Sequence, residues 1–223
     1  MKYNPIVKGK FISRPNRFIA HVDIDGEDTV CHVKNTGRCR ELLVEGADVL
    51  LERSANPSRR TAYDLVAVYK GDVLVNIDSQ APNAVFKEWL STTDYFGEIT
   101  LVKPESKFGA SRFDFYIETT TRKAFIEVKG VTLEREGVAM FPDAPTERGA
   151  KHLRELIEAK NAGYDAYIFF VIQMEGCHSF TPNAETDKTF AETLALAESA
   201  GVTVCTVYCT AKEDGLSIAG FLN

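Results

Sequence analysis

The sequence has little of what would place a chain in a specialised class. Of its 223 residues only five are cysteine, Cys31, Cys39, Cys177, Cys205 and Cys209. None forms a close pair at metal-ligand spacing, and an odd number cannot all pair within one chain. Free, mostly buried thiols in a reducing compartment are the expectation. No run of about 18 uninterrupted apolar residues occurs, and Met1-Lys2-Tyr3-Asn4-Pro5 opens the chain without the apolar stretch of a signal peptide. The protein is expected to be cytoplasmic, with no membrane partner. His21, His32 and His178 are scattered, without partners at metal spacing. Internal repeats, low-complexity tracts and long linkers are missing, and with no helix-turn-helix pattern operator recognition of that kind has no support.

Excess charge is also modest. A net charge of −6 argues weakly against an indiscriminate polyanion binder, although a basic patch can coexist with an acidic total. The first eighty residues hold about 12 basic and about 11 acidic groups, so the acidity is C-terminal and a nucleic-acid footprint belongs in the N-terminal part. The length suits one large domain or two small ones and is ample for a core.

Residues 17–33 alternate apolar and polar side chains around Asp25-Gly26, a dipeptide that supplies the positive φ angles of a tight turn, so a hairpin is expected. Residues 48–52, 63–69 and 73–78 read as further strands, the last two joined through Lys70-Gly71-Asp72. About five short strands with no room for a long helix predict a small OB-like β-barrel, a small sandwich being the competing arrangement. The character changes near Gln80-Ala81-Pro82-Asn83, which divides the chain into residues 1–81, a nucleic-acid-binding barrel, and residues 82–223. In the second part Val85, Phe86, Trp89 and Leu90 recur at helical spacing behind a Pro-Asn start. A strand near 99–102, a hairpin over 111–129, a helix that begins at 145–147 and ends near 161–163, a buried strand over 166–172, a helix over 187–200 and a strand over 202–207 follow. That order implies an α+β or α/β domain with a mixed sheet flanked by helices, the arrangement of a restriction-endonuclease-like core.

The hairpin carries the chemistry. Period two puts Phe113, Phe115 and Ile117 on one face with Asp114 opposite, and Ile126 and Val128 on one face with Glu127 and Lys129 opposite. If the charged sides coincide, two carboxylates and an ammonium converge, Glu127 and Lys129 being roughly 7 Å apart along their strand. With twelve residues between Asp114 and Glu127, the pattern is Asp…Glu-x-Lys on consecutive strands behind a helix. Two carboxylates can hold Mg²⁺ or Mn²⁺ and leave water positions open, with Lys129 beside the attacking water. An amphipathic hairpin with a solvated side would show the same letters.

The connection after Lys129 is read as a long loop suited to binding groups beside a rigid site. On the helix that follows, Arg148, His152 and Glu155 share a face; Arg148 and His152 are candidate phosphate contacts or partners of the residues that would hold a metal, and a solvated charge-paired face is the plainer alternative. Glu88 and Glu105 are possible additional acids, each also readable as a surface carboxylate. In the N-terminal part Asn35, Arg38 and Arg40 share one loop and Arg59 and Arg60 lie near another, which suits phosphate contacts at a barrel rim. Arg112 completes the candidate nucleic-acid contacts.

Asn35-Thr36-Gly37-Arg38, Tyr63-Asp64-Leu65, Gly109-Ala110-Ser111-Arg112-Phe113-Asp114-Phe115, Glu127-Val128-Lys129 and the run from Phe141 to Leu153 together resemble the sugar fermentation stimulation protein A family, over nearly the whole chain. The resemblance implies an OB-like domain joined to a PD-(D/E)XK nuclease-type domain, non-specific DNA binding and a role in regulating sugar-utilisation genes of the maltose type in bacteria. Asp114, Glu127 and Lys129 match the nuclease signature, with Phe113 where its name expects Pro, a residue that takes no part in the chemistry. Three readings follow: a Mg²⁺-dependent phosphodiesterase acting on DNA or possibly RNA, a non-catalytic DNA-binding regulator that retains the fold, and a carbohydrate or metabolite sensor.

Overall fold

The computed structural model describes residues 1–35 and 37–222, so Thr36 of the rim loop lies outside the described residues. Five strands close a barrel: β1 (Ile6–Asn16), β2 (Ile19–Ile24), β3 (Glu27–Val33), β4 (Asp48–Arg53) and β5 (Tyr63–Lys70). The first three form an antiparallel meander, β4 pairs with β1 and β5, and β3 returns parallel to β5 through His32↔Asp64 and Val33↔Leu65. That last pairing removes the free edges and decides for the OB-type barrel over a sandwich. β6 (Val73–Asn76) extends the wall as a hairpin on β5. Strand β1 escaped the sequence reading because Phe11 is its one buried residue and Lys8, Lys10, Ser13, Arg14 and Pro15 mask any alternation. Pairing with neighbours on both sides, rather than its own pattern, makes it a strand.

In the second part α1 (Ala81–Leu90) precedes β7 (Ile99–Phe108), β8 (Ser111–Thr119), β9 (Lys123–Val131), β10 (Leu133–Arg135), β11 (Val138–Phe141), α2 (Glu147–Asn161), β12 (Asp165–Ile172), β13 (Ser179–Pro182), α3 (Lys188–Ser199), β14 (Thr203–Lys212) and β15 (Gly215–Phe221). The main sheet runs β15-β14-β12-β9-β8-β7, parallel at its centre and antiparallel outside, as the order of elements implies. Helix α1 sets Val85, Phe86 and Leu90 against Phe115, Ile126, Val128 and Phe169 on one face. Helices α2 and α3 bring Leu153, Leu156, Phe190 and Leu194 to Phe125, Ile168 and Phe170 on the other. The two helix starts are tied together: Thr146 caps α2 by accepting from Gly149 N, Asp187 caps α3 by accepting from Phe190 N, and Asp187 also accepts from Thr146 N at 2.8 Å.

Three local expectations change. The segment after Lys129 is not an open loop: β10 and β11 form a small hairpin whose outer strand pairs with β13. Its strands are three and four residues long, too short for periodicity to show. The edge strand β7 runs on to Phe108 although Lys103, Pro104 and Glu105 read as loop, and β15 forms on β14 from a glycine-flanked segment with little strand signal. Finally, neither face of the sheet is a solvated one at the hairpin, since Ala124, Phe125, Ile126, Glu127 and Val128 are all buried.

The barrel is welded to the sheet. Gln173 Nε2 donates to the carbonyls of Asn76 and Asp78 and to Asn76 Oδ1 at 3.0–3.1 Å, and its backbone carbonyl accepts from Asn76 N at 2.9 Å. Lys70 reaches Glu134 at 2.5 Å, and one apolar cluster continues from Val22 and Val68 in the barrel to Phe170 and Ile172 in the sheet.

Candidate active site

The ladder between β8 and β9 runs from Glu118↔Lys123 to Phe115↔Ile126 and stops there. Asp114 stands at the end of that ladder, and its carboxylate replaces the missing strand partner: Val128 N donates to Oδ2 at 2.8 Å, while Asn83 Nδ2 from the first turn of α1 donates to Oδ1 at 2.8 Å. The break also corrects the facing of the strand. Phe113 packs with Phe108, Phe125 and His152 on the α2 side, whereas Phe115 and Ile117 face α1, so the three do not share a face. Period two fails where strand pairing fails.

Glu127 is 2 % exposed. Its Oε1 accepts from Lys129 Nζ at 2.5 Å and from His152 Nδ1, and its Oε2 is buried with no hydrogen-bond partner. Arg148 Nε donates to His152 Nε2 at 3.3 Å, which leaves the Nδ1 proton for Glu127 and fixes the ring between the two. The electrostatics follow from this packing. Burial, and after it the neighbouring Glu127 charge, hold the Asp114 carboxyl above the usual range against the bonds from Val128 and Asn83. Burial also pushes Glu127 up, but the His152 hydrogen bond and the Lys129 charge outweigh it, so Glu127 is held below the usual range.

Among the described residues no group of three or more His, Cys, Asp or Glu side chains is arranged to hold a metal ion. The donor set is two carboxylates, and one of their four oxygens, Glu127 Oε2, is orphaned in a buried position. Hard oxygen donors so few in number fit a cation that keeps much of its water, which is the habit of Mg²⁺. Glu88 and Glu105 do not join them. Glu88 pairs with the Met1 amino group at 2.6 Å, and Glu105 lies exposed at positive φ, 3.7 Å from Arg112.

The remaining candidates divide. Arg148 is exposed beside the carboxylates, but His152 is 5 % exposed and serves Glu127 rather than solvent, and Glu155 is buried as well, so that side of α2 is not a solvated face. Arg59 is not open to phosphate, because Asp64 takes both of its terminal nitrogens at 2.7 Å in a network with His32, Lys34 and Glu52. Arg60 is exposed beyond it, and Arg112 sits exposed at the far end of the β7–β8 pair. Asn35 braces its own loop, donating to Ile77 O and accepting from Gly37 N, both at 2.7 Å. Arg38 and Arg40 are exposed and line a 360 Å³ pocket with Phe11, Arg14, Asn16, Arg17, Gly37 and Leu43. Burial pushes the thiols of Cys31, Cys39 and Cys209 up to about 12, in keeping with unreactive core cysteines.

Two contributors lay outside the sequence reading. Asn83 was legible only as part of a helix start, and Arg14 belongs to the unrecognised β1. Arg14 donates to the carbonyls of Asn35, Gly37, Arg38 and Arg17 at 2.5–2.9 Å and so shapes the rim loop from within.

A closed OB barrel joined to a mixed sheet with an Asp…Glu-x-Lys hairpin defines an OB-containing protein with a PD-(D/E)XK restriction-endonuclease-like domain. Residues 12–77 match the family description "SfsA N-terminal OB domain" and residues 80–215 match "Sugar fermentation stimulation protein RE domain". The chain belongs to the sugar fermentation stimulation protein family. The sugar fermentation stimulation protein homologs of Clostridium beijerinckii and Desulfitobacterium hafniense are each 55 % identical to it, the first covering 100 % of this chain and 99 % of its own, the second 100 % and 97 %. Among solved structures, Pyrococcus furiosus SfsA in complex with Ca²⁺ superimposes with a TM-score of 0.88 at 28 % identity, over 100 % of this chain and 97 % of that one. No helix among the described residues is long and apolar enough to cross a membrane.

Proposed function

We propose that the chain binds DNA and hydrolyses its phosphodiester bonds with a divalent cation, Mg²⁺ or Mn²⁺, held by Asp114 and Glu127; RNA is the alternative substrate. The observation that carries this reading is the orphaned Glu127 Oε2 beside a second carboxylate that its charge disturbs. Burying carboxylate charge without full compensation is costly, and a cation relieves it. That the Pyrococcus furiosus relative is described in complex with Ca²⁺, another hard oxygen-seeking dication, supports the assignment. A divalent cation there would supply Lewis-acid polarisation of a phosphoryl oxygen and a water of lowered pKa.

The protein's own groups do the rest. Lys129, partly open to solvent, orients the attacking water or stabilises charge developing on the phosphate. His152 and Arg148 hold Glu127 in one rotamer, and Asn83 and Val128 N hold Asp114. Arg38 and Arg40 on the barrel and Arg148 on α2 attract the backbone of the substrate. Incubation with DNA in Mg²⁺ or Mn²⁺ should yield cleavage that Lys129→Ala abolishes while binding persists. Failure of every DNA and RNA form at either metal would remove the phosphodiesterase reading.

A second reading is a non-catalytic DNA-binding regulator of sugar-utilisation genes that retains the fold; the relatives' shared name supplies its link to sugar fermentation. It expects salt-dependent DNA affinity that falls when Arg38 and Arg40 are replaced and does not change with Asp114→Ala.

A further inference from the structure

The barrel is electrically polarised along its β2–β3 hairpin. At the hairpin turn stand Asp23, Asp25, Glu27 and Asp28, with Lys10 opposite Asp23 on β1 and His21 2.9 Å from Asp28. At the other end of the same strands, Arg14, Arg17, Arg38 and Arg40 surround the pocket lined by Phe11 and Leu43. A strand of six residues is about 17 Å long, roughly two Debye lengths at physiological salt, so a polyanion feels the two poles separately. The acidic pole turns it away and the basic pole receives it.

Phe18 stands on the rim of the basic pole. It is 47 % exposed, whereas Phe11 inside the barrel is 4 % exposed, and the Arg17 guanidinium lies 5.0 Å from its ring centroid. The turn beneath it is fixed: Asn16 Oδ1 accepts from Phe18 N at 2.9 Å and from Ile19 N at 3.1 Å. Arg14 then stitches this turn to the rim loop by donating to the carbonyl of Arg17 as well as to those of Asn35, Gly37 and Arg38. Aromatic ring, apolar pocket and arginines therefore form one preorganised platform. A duplex offers such a platform its phosphates alone, because its bases are stacked on one another; only an unpaired base can use the ring and the apolar lining.

We propose that this pole is a single-strand subsite, in which a base stacks at Phe18 and the adjoining phosphates meet Arg17, Arg38 and Arg40. The pole also abuts the second domain, since Gly37 packs so close to Asp143, ahead of α2, that a Cβ there would lie 2.8 Å from Asp143 Oδ2. The substrate class is nucleic acid with an unpaired segment: a fork, flap or overhang. As a statement about substrate this rests on the phosphodiesterase reading, but the binding site stands or falls separately.

The test is equilibrium binding of the full chain in EDTA, followed by fluorescence anisotropy. The probes are a DNA strand of about 20 nucleotides, the same strand as RNA, a blunt DNA duplex and a fork with one unpaired arm. The fork and at least one of the strands should bind about tenfold more tightly than the duplex, and the preferred strand names the sugar. Phe18→Ala should weaken fork and strand binding about tenfold and leave duplex binding in place, while Phe18→Trp restores it and is quenched on strand binding. Duplex bound as tightly as the strands, or strand affinity indifferent to Phe18→Ala, would overturn the proposal. With no divalent cation present, the outcome does not depend on whether the protein cleaves.

Discussion

At the scale of single residues, Glu127 concentrates the energetics of the site. It is a buried carboxylate with one oxygen committed to Lys129 and His152 and the other left without a partner. Partners that orient a ligating carboxylate commonly govern metal affinity by about 10–100-fold. His152→Ala should therefore weaken Mn²⁺ binding, followed by calorimetry, by a factor in that range, and His152→Gln, which can still donate to Oε1, should recover part of it. Equal Mn²⁺ affinity in all three proteins would separate His152 from the site. Asp114, Glu127 and Lys129 were legible from the sequence because their spacing on two consecutive strands survives any detail of packing. For His152 the sequence left a phosphate contact, a partner of the site residues and a solvated face all open, and only the packing of β9 beneath α2 chose among them by placing its Nδ1 on Glu127.

At the scale of elements, the barrel wall is held at one point by buried charge. Asp64 on β5 accepts from Arg59 and His32 and lies 3.6 Å from Lys34, which also bonds Glu52 on β4. Burial pushes Asp64 up, yet Arg59, His32 and Lys34 outweigh it, so its folded carboxyl titrates below the usual range. A depressed carboxyl stabilises the fold above its unfolded value of about 3.9 and ceases to do so as pH falls through the folded value. Wild-type protein should exceed Asp64→Asn in thermal stability at pH 6, and the gap should close as the pH falls from 4 toward 2. A gap independent of pH would show that the ion pairs are not the source. Asp78, raised by burial, works in the opposite sense, which is why the single substitution is the informative comparison. Strands β2 to β6 were visible in the sequence through alternation and turn chemistry. Strand β1 was not, because edge-to-edge pairing rather than apolar patterning recruits it.

At the scale of the whole molecule, barrel and sheet meet at Gln173 and Gly130. Gln173, buried, satisfies Asn76 and the Asp78 carbonyl. Gly130 follows Lys129 where no side chain fits: a Cβ there would collide with Gln173 Oε1 and lie 2.6 Å from Pro82 Cγ. Gly130→Ala should cost about 1–3 kcal/mol in denaturant unfolding, the usual range for overpacking, and should disturb Lys129 next to it. An unchanged unfolding midpoint would mean that the interface yields freely. One apolar cluster spans both parts of the chain around this contact.

By itself the sequence determined the kinds of element, the OB-like and nuclease-like classes and the three residues of the hairpin signature, because strand and helix periods and turn residues are local properties of the chain. Tertiary structure alone decided which charges are free and which are consumed. Arg59 is neutralised by Asp64, Glu88 and Glu105 pair with groups away from the site, and the Asn35 amide is taken up by Ile77 O and Gly37 N. It also turned Phe113 to the other face and left Glu127 Oε2 alone in the interior. A charge takes its meaning from groups brought near it by folding, and those groups are distant in sequence. The hairpin was therefore readable in advance, while the arginines that face solvent and the orphaned oxygen of Glu127 were not.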